Sequence, residues 1–127
     1  MLKFFLIAGG GALGSVLRYL VQGWVQTLSG GVFPLGTLAV NILGCLAIGF
    51  LNKAFTEALL LRPELRLALT VGVLGGFTTF SAFGWETFSL ANDGQSLRAG
   101  LNVLLSVGSG LAAVGLGYRL AEHWLGA

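Results

Sequence analysis

Residues 75–84, GGFTTFSAFG, decide how the rest of the chain is interpreted. This stretch lies inside an apolar segment and combines two adjacent glycines, three hydroxyl residues and three phenylalanines at a spacing of three. Glycine is unfavourable in a helix interior and permits backbone conformations that other residues avoid, so Gly-Gly-Phe-Thr-Thr predicts an interrupted helix. In a membrane, backbone groups freed by an interruption must be buried in protein, line a cavity or bind an ion. If the chain spans a membrane, the stretch is a candidate functional site.

Composition indicates that the chain does span a membrane. Of 127 residues, 55% are hydrophobic and 9% are charged, whereas a soluble domain needs a more polar surface. The formal net charge of +2 is small and scattered, so nothing suggests a nucleic-acid partner. Cys45 is the only cysteine, which excludes an intrachain disulfide and a site built from several thiolates.

Four apolar segments are each long enough to cross a bilayer, which takes about 20 residues. The predicted helices cover residues 4–26, 35–55, 67–90 and 98–118. A secretory signal peptide is the alternative for the first segment, but its apolar pattern continues past Arg18, beyond the usual cleavage point. The charged segment from Lys53 to Arg66 predicts an aqueous connection. The predicted fold is therefore an all-α membrane protein with four transmembrane helices in one domain, the third helix being broken.

Basic residues divide unevenly between the two ends of this bundle. Those on the side of the termini are Lys3, Lys53, Arg62, Arg66 and Arg119, against Arg18 and Arg98 on the other side. The positive-inside rule places the termini in the cytoplasm, and the expected location is the cytoplasmic (inner) membrane. The bias is modest, so insertion of subunits in both orientations stays open.

Two polar residues inside the predicted helices need partners. Arg18 shares a helix face with Gly10, Gly14 and Gln22, and small residues at this spacing are typical of close helix packing. Its side chain either reaches toward the interface or points into a wet vestibule. Asn41 is costly at mid-membrane depth unless its amide is bonded, so it either joins helices or lines a pathway.

The remaining polar residues do not form a catalytic site, so transport is the function class that remains. Asn102, Ser106 and Ser109 form a thin polar stripe on the fourth predicted helix. Glu86 is the lone acid in the apolar segments and has no second carboxylate for hydrolytic chemistry. The glycine run at 9–14 lacks the lysine of a phosphate-binding loop. Because four short helices do not easily enclose a path, a pore would lie between subunits.

The candidate path favours a small anion. Its neutral donors are Thr37, Asn41, Thr79, Ser81 and Ser106. An aromatic ring has a positive edge and a negative face, so phenylalanines presented edge-on attract anions, whereas ring faces attract cations. Simple packing remains the alternative role for the phenylalanines.

Three segments resemble the signature segments of the fluoride channel family, known as Fluc or CrcB. These segments are GGGALGSVLRY at 9–19, GTLAVNILG at 36–44 and GVLGGFTTFSAFGWE at 72–86. Their order and spacing match over nearly the whole chain, with the fourth helix the weakest part. The resemblance implies an antiparallel, dual-topology homodimer with two fluoride pores at its interface, which exports fluoride passively.

The same resemblance implies roles for individual residues. Phe80 and Phe83 would coordinate fluoride through their ring edges, and Asn41 would be the pore-lining amide. Further pore hydroxyls would come from Thr79, Ser81 and Ser106. Arg18 and Glu86 would lie toward the vestibules.

A structural sodium ion is also implied, held by the backbone carbonyls of Gly75 and Thr78 from both subunits. This arrangement makes physical sense, because two interruptions related by a two-fold axis offer four carbonyls to one cation. The sequence departs from the family pattern at Ala82, where threonine is usual, and on the fourth helix. There, Asn102 replaces a frequent tyrosine and Gly110 a frequent serine or threonine.

Two other function classes stay open. A small four-helix multidrug exporter of cations has a similar length, but it would carry a carboxylate in its first helix, where this chain has none. A membrane-assembly subunit that transports nothing would need neither Asn41 nor an interrupted helix.

For a fluoride channel of the resembled family, the expected partners are fluoride, a second copy of the chain and the lipid bilayer.

Overall fold

The computed structural model describes residues 1–57 and 60–126, and their regular structure is entirely helical. The elements are α1 (Leu2–Ser29), α2 (Leu35–Glu57), α3 (Pro63–Leu67), a π-helical stretch (Ala68–Leu74), α4 (Gly75–Phe77), α5 (Phe80–Asn92) and α6 (Ser96–Trp124). The elements from α3 to α5 follow one another along a single membrane-length segment. Within the described residues, four segments are long and apolar enough to cross a membrane, which confirms the predicted all-α class with four spans.

The helices extend beyond the predicted bounds. α6 continues to Trp124, and α3 begins at Pro63, inside the charged segment. Hydropathy marks where hydrocarbon ends, whereas helical hydrogen bonding continues into the polar interface. Proline suits the first helical turn, where its missing N–H has no helical partner. The predicted aqueous connection between Lys53 and Arg66 includes Ala58 and Leu59, which lie outside the described residues.

Small side chains occupy the inside of the bundle and large apolar ones face outward. Ala54 and Ala121 are fully buried, while Phe5, Tyr19 and Leu104 are largely exposed. A lipid-facing surface allows this arrangement, because helices in membranes associate through close packing of small residues. The bundle is thus built for a hydrocarbon environment.

Close backbone contact joins α2 to α6. A Cβ atom at Gly117 would lie 2.9 Å from the backbone nitrogen of Phe50, which leaves no room for a side chain. Lys53 connects the same two helices at one end: its Nζ pairs with Glu57 Oε1 of α2 at 2.6 Å and also lies 3.9 Å from Glu122 Oε1 of α6.

The glycine-rich face of α1 packs against the third membrane segment. A Cβ atom at Gly76 would lie 2.6 Å from Gly11 O, and one at Gly10 would lie 2.6 Å from Ala68 O. This contact brings Arg18 and Gln22, which are on the same face of α1, alongside α4 and α2.

Candidate functional site

Helical structure stops for two residues between α4 and α5. Thr78 (φ −92°, ψ 158°) and Thr79 (φ −149°, ψ 110°) have extended backbones. Thr79 then caps α5, because its Oγ1 accepts a hydrogen bond from the backbone nitrogen of Ala82 at 3.1 Å. Threonine is a favoured residue at this position for the same reason. The second threonine of the motif therefore starts the next helix.

The amide of Asn41 on α2 makes two hydrogen bonds to the backbone of Thr79. The Thr79 N–H donates to Asn41 Oδ1 at 2.8 Å, and Asn41 Nδ2 donates to Thr79 O at 3.1 Å. In a continuous helix the Thr79 N–H would instead bond to Gly75 O. A side chain from a neighbouring helix thus satisfies backbone groups that hydrocarbon would leave without partners.

Three carbonyl groups near the end of α4 lose their regular helical donors. The donor for Gly75 O is engaged by Asn41, and the donor for Thr78 O, the Ala82 N–H, is engaged by Thr79 Oγ1. Gly76 O has gained a new donor, because Arg18 Nε lies 2.9 Å from it. The guanidinium of α1 therefore supports the end of α4 directly, which helical spacing did not predict.

A groove of about 380 Å³ lies beside Thr78, bounded by α2, α5, α6 and the π-helical stretch. The predicted site residues that line it are Asn41, Gly75, Thr78, Phe80, Phe83 and Ser106. Thr79 is nearly buried behind this surface, and Ser81 is exposed, with its hydroxyl 3.3 Å from that of Thr79. Six of the predicted residues therefore share one cavity.

The two phenylalanines lie next to each other at the groove. The centroids of the Phe80 and Phe83 rings are 5.4 Å apart, and the rings are tilted by 42°. The Phe80 side chain is 82% exposed, so the groove is open along one side of a single chain. Rings in this tilted arrangement can present an edge toward a neighbouring ligand.

The three residues of the polar stripe on α6 make hydrogen bonds to different partners. Asn102 is buried and donates through Nδ2 to Thr87 Oγ1 at 2.8 Å, while Ser106 lies 3.5 Å from Asn102 Oδ1 and lines the groove. Ser109 donates to Leu105 O of its own helix. The hydroxyl hydrogen of Ser109 is therefore used within α6.

A second cavity, of about 530 Å³, lies toward the turn between α5 and α6 and contains Glu86. Gln22 Nε2 donates to Thr37 Oγ1 at 2.9 Å, and Thr37 Oγ1 donates to Glu86 Oε1 at 2.7 Å. Glu86 Oε2 is buried and has no hydrogen-bond partner among the described residues. The structure thus separates the two expected vestibule residues, placing Glu86 in this cavity and Arg18 at Gly76 O.

Two polar residues that line the groove, Cys45 and Thr70, were not among the predicted site residues. Cys45 stands four residues after Asn41, so helical spacing could have placed it on the same face. Thr70 lies in the π-helical stretch, whose periodicity differs from that of an α-helix, so α-helical spacing does not predict its direction.

Comparison with known proteins places this architecture in a family. The family described as "CrcB-like protein, Camphor Resistance (CrcB)" matches residues 5–118. A protein of Geobacter sulfurreducens named "Fluoride-specific ion channel FluC" is 49% identical over 97% of this chain and 99% of its own length. A protein of Rhizobium etli with the same name is 48% identical over 94% of this chain and 96% of its own length. With its four apolar helices, the chain is a multi-pass integral membrane protein that belongs to the CrcB family.

Proposed function

We propose that this protein is a fluoride-selective channel through which fluoride leaves the cell passively across the cytoplasmic membrane. Hydrogen fluoride is a weak acid that enters cells and ionises inside, so such a channel lowers intracellular fluoride. The proposal is supported by the near full-length similarity to proteins named as fluoride-specific channels. The observation that carries it is the groove in which Asn41, bonded to Thr79, lies beside Phe80 and Phe83.

The chemistry of the groove suits a small anion. Among the described residues that line it there is no carboxylate, and the polar side chains are an amide, two threonines, a serine and a thiol. Asn41 Nδ2 carries two hydrogens and spends one on Thr79 O, so one N–H remains for a ligand. An anion that sheds part of its water shell would meet this N–H and positive ring edges. The hydroxyls of Thr70, Thr78 and Ser106 donate to Arg66 O, Leu74 O and Asn102 Oδ1, so each would have to rotate to donate to an anion.

A second copy of the chain would complete the path. The groove is open along the side where Phe80 is exposed, so one chain does not enclose a solute. An antiparallel copy related by a two-fold axis in the membrane plane would present the same surface in return. In this proposal the homodimer contains two pores, and the subunits are inserted in both orientations.

The carbonyls of Gly75 and Thr78 fit a structural sodium ion at the centre of that dimer. Both have lost their regular helical donors, and hard cations bind oxygen ligands. Two copies would supply four such carbonyls. The ion would contribute positive charge that stabilises the broken third helix in hydrocarbon, and the pore roles of Thr79, Ser81 and Ser106 belong to the same proposal.

Fluoride and chloride efflux from liposomes tests the proposed function. Purified protein should release trapped fluoride rapidly when a potassium ionophore removes the opposing membrane potential, while trapped chloride stays inside. Equal release of both anions would contradict fluoride selectivity. Proton-coupled uptake of a drug cation would indicate the multidrug exporter, and the absence of any flux would indicate an assembly subunit.

A further inference from the structure

A third cavity, of about 530 Å³, lies where α2 ends and α3 begins. Its polar lining consists of Asn52, Thr56, Arg66 and Thr70. Thr70 also lines the groove that contains Phe80, so this residue lies between the two cavities. The third cavity therefore neighbours the groove, at the end of the bundle where the chain termini lie.

Arg66 gives this cavity a positive charge in a fixed position. Its Nε donates to Leu61 O at 3.1 Å, and its guanidinium carbon lies 5.4 Å from the centroid of the buried Phe55 ring. These two contacts hold the planar group from two sides. A guanidinium has five N–H donors, so four are left after the bond to Leu61.

The charge of Arg66 is not neutralised by an ion pair within the described ranges. No carboxylate there lies within 4.0 Å of its nitrogen atoms, whereas Lys53, at the end of α2, is paired with Glu57 and Glu122. Lys53 and Arg66 therefore have different surroundings. Lys53 joins helices, while Arg66 adds positive potential to a cavity that neighbours the groove.

We propose that the Arg66 cavity is a mouth that concentrates small monovalent anions from the aqueous phase and passes them by Thr70 into the groove. This inference rests on the proposed function. A charged cleft with low-dielectric walls focuses the electric field and raises the local concentration of counter-ions. A conducting site must also release its ion, so the mouth binds hydrated anions weakly and acts on the rate of arrival.

The test compares Arg66→Gln with Arg62→Gln in the liposome assay. Arg62 is the exposed residue that precedes α3, and it does not line the cavity, so its substitution removes the same charge nearby. Fluoride efflux is measured with an impermeant salt at about 10 mM and about 1 M, where the screening length is about 30 Å and about 3 Å. Arg66→Gln should lower the initial rate about threefold at the lower salt concentration and leave it unchanged at the higher one. Arg62→Gln should lower the low-salt rate less than Arg66→Gln does, because its charge is exposed and lies outside the cavity, and it should match the unsubstituted protein at high salt.

Variants that keep or reverse the charge of Arg66 distinguish an electrostatic effect on anions from a structural role of the side chain. Arg66→Lys should follow the unsubstituted protein at both salt concentrations, and Arg66→Glu should fall below Arg66→Gln only at low salt. A rate loss that persists at high salt in Arg66→Gln, or any low-salt loss in Arg66→Lys, would overturn the inference by indicating a structural role. An Arg66→Gln rate equal to that of the unsubstituted protein at low salt would also overturn it. Loss of fluoride selectivity in the unsubstituted protein would instead contradict the proposed function.

Discussion

Asn41 and Asn102 both place an amide inside the bundle, but they bond to different kinds of partner. Asn41 pairs with the backbone N–H and C=O of Thr79, where helical structure is interrupted. Asn102 donates to the side chain of Thr87 on the intact helix α5. Thr87 also donates to Phe83 O, so it keeps a partner without Asn102.

The comparison shows that an interior asparagine can either replace secondary structure or join two complete helices. Backbone groups cannot be removed by substitution, so losing Asn41 leaves the buried Thr79 N–H without its partner. It also removes one donor from Thr79 O, which, as the N-cap carbonyl of α5, accepts the first bond of that helix. Losing Asn102 leaves Thr87, which keeps its hydrogen bond to Phe83 O, and removes from Ser106 an acceptor that is already 3.5 Å away. We therefore expect conduction to depend strongly on Asn41 and weakly on Asn102.

Asn41→Asp is expected to have the largest effect. The carboxylate can still accept from the Thr79 N–H, but it has no donor for Thr79 O, and its negative charge repels an anion. Two like charges about 4 Å apart repel by about 4 kcal/mol near a protein surface, so fluoride efflux should fall about tenfold or more. Size-exclusion chromatography should still show the dimer. Efflux at the unsubstituted rate would show that Asn41 does not hold the path.

Arg18→Leu should have the next largest effect, because it removes the charge-assisted hydrogen bond to Gly76 O. The free energy of unfolding should fall by about 1.5–3 kcal/mol, measured by thermal or denaturant unfolding in detergent. The matched control is Arg98→Leu, since Arg98 is exposed and, among the described residues, its side chain bonds only to Gln95, three residues earlier. Equal losses in the two variants would contradict a specific role for Arg18 at the interruption.

Gly44→Ala tests how closely α2, which carries Asn41, packs against the interruption. A Cβ atom at Gly44 would collide with the methyl group of Thr78, a residue of the interruption that packs against α2. Overpacking of this kind costs about 1–3 kcal/mol, and fluoride efflux should fall together with thermal stability. Gly100→Ala on α6 is the control, because a Cβ atom there has nothing within 4 Å. If both variants behaved alike, the close contact at Gly44 would be irrelevant.

Asn102→Leu should have the smallest effect. Leucine has a similar size, and Thr87 retains its bond to Phe83 O. Stability should change by less than about 1.5 kcal/mol and fluoride efflux by less than about twofold. A loss of efflux as large as that of Asn41→Asp would remove the distinction between the two asparagines.

Local sequence chemistry predicted the parts of the site that depend on nearby residues. Four apolar segments fix the number of spans, and the costly amide of Asn41 required a partner within the protein. The partner itself, Thr79, depends on how α2 packs against the third segment, which no local pattern specifies. Arg18 shows the same limit, because spacing on α1 predicted its face but not its contact with Gly76.

The structure of the charged segment from Lys53 to Arg66 was harder to predict. The stretch from Lys53 to Arg66 reads as a solvated connection, yet it includes the end of α2 and the start of α3. Whether a cation there forms ion pairs or faces a cavity depends on which helices meet at that end. Lys53 and Arg66 therefore look alike in the sequence and differ in the folded protein.

The most direct test of the central claim, that fluoride moves along the groove beside Phe80, compares Phe80→Ile with Phe88→Ile. Phe88 is also exposed on α5, but it pairs with Trp85 and does not line the groove. Fluoride and chloride efflux from liposomes is measured for both variants and for the unsubstituted protein. The groove pathway predicts that Phe80→Ile loses most of its fluoride efflux, while Phe88→Ile keeps it and neither variant releases chloride. Unchanged fluoride efflux in Phe80→Ile, or equal losses in the two variants, would contradict it.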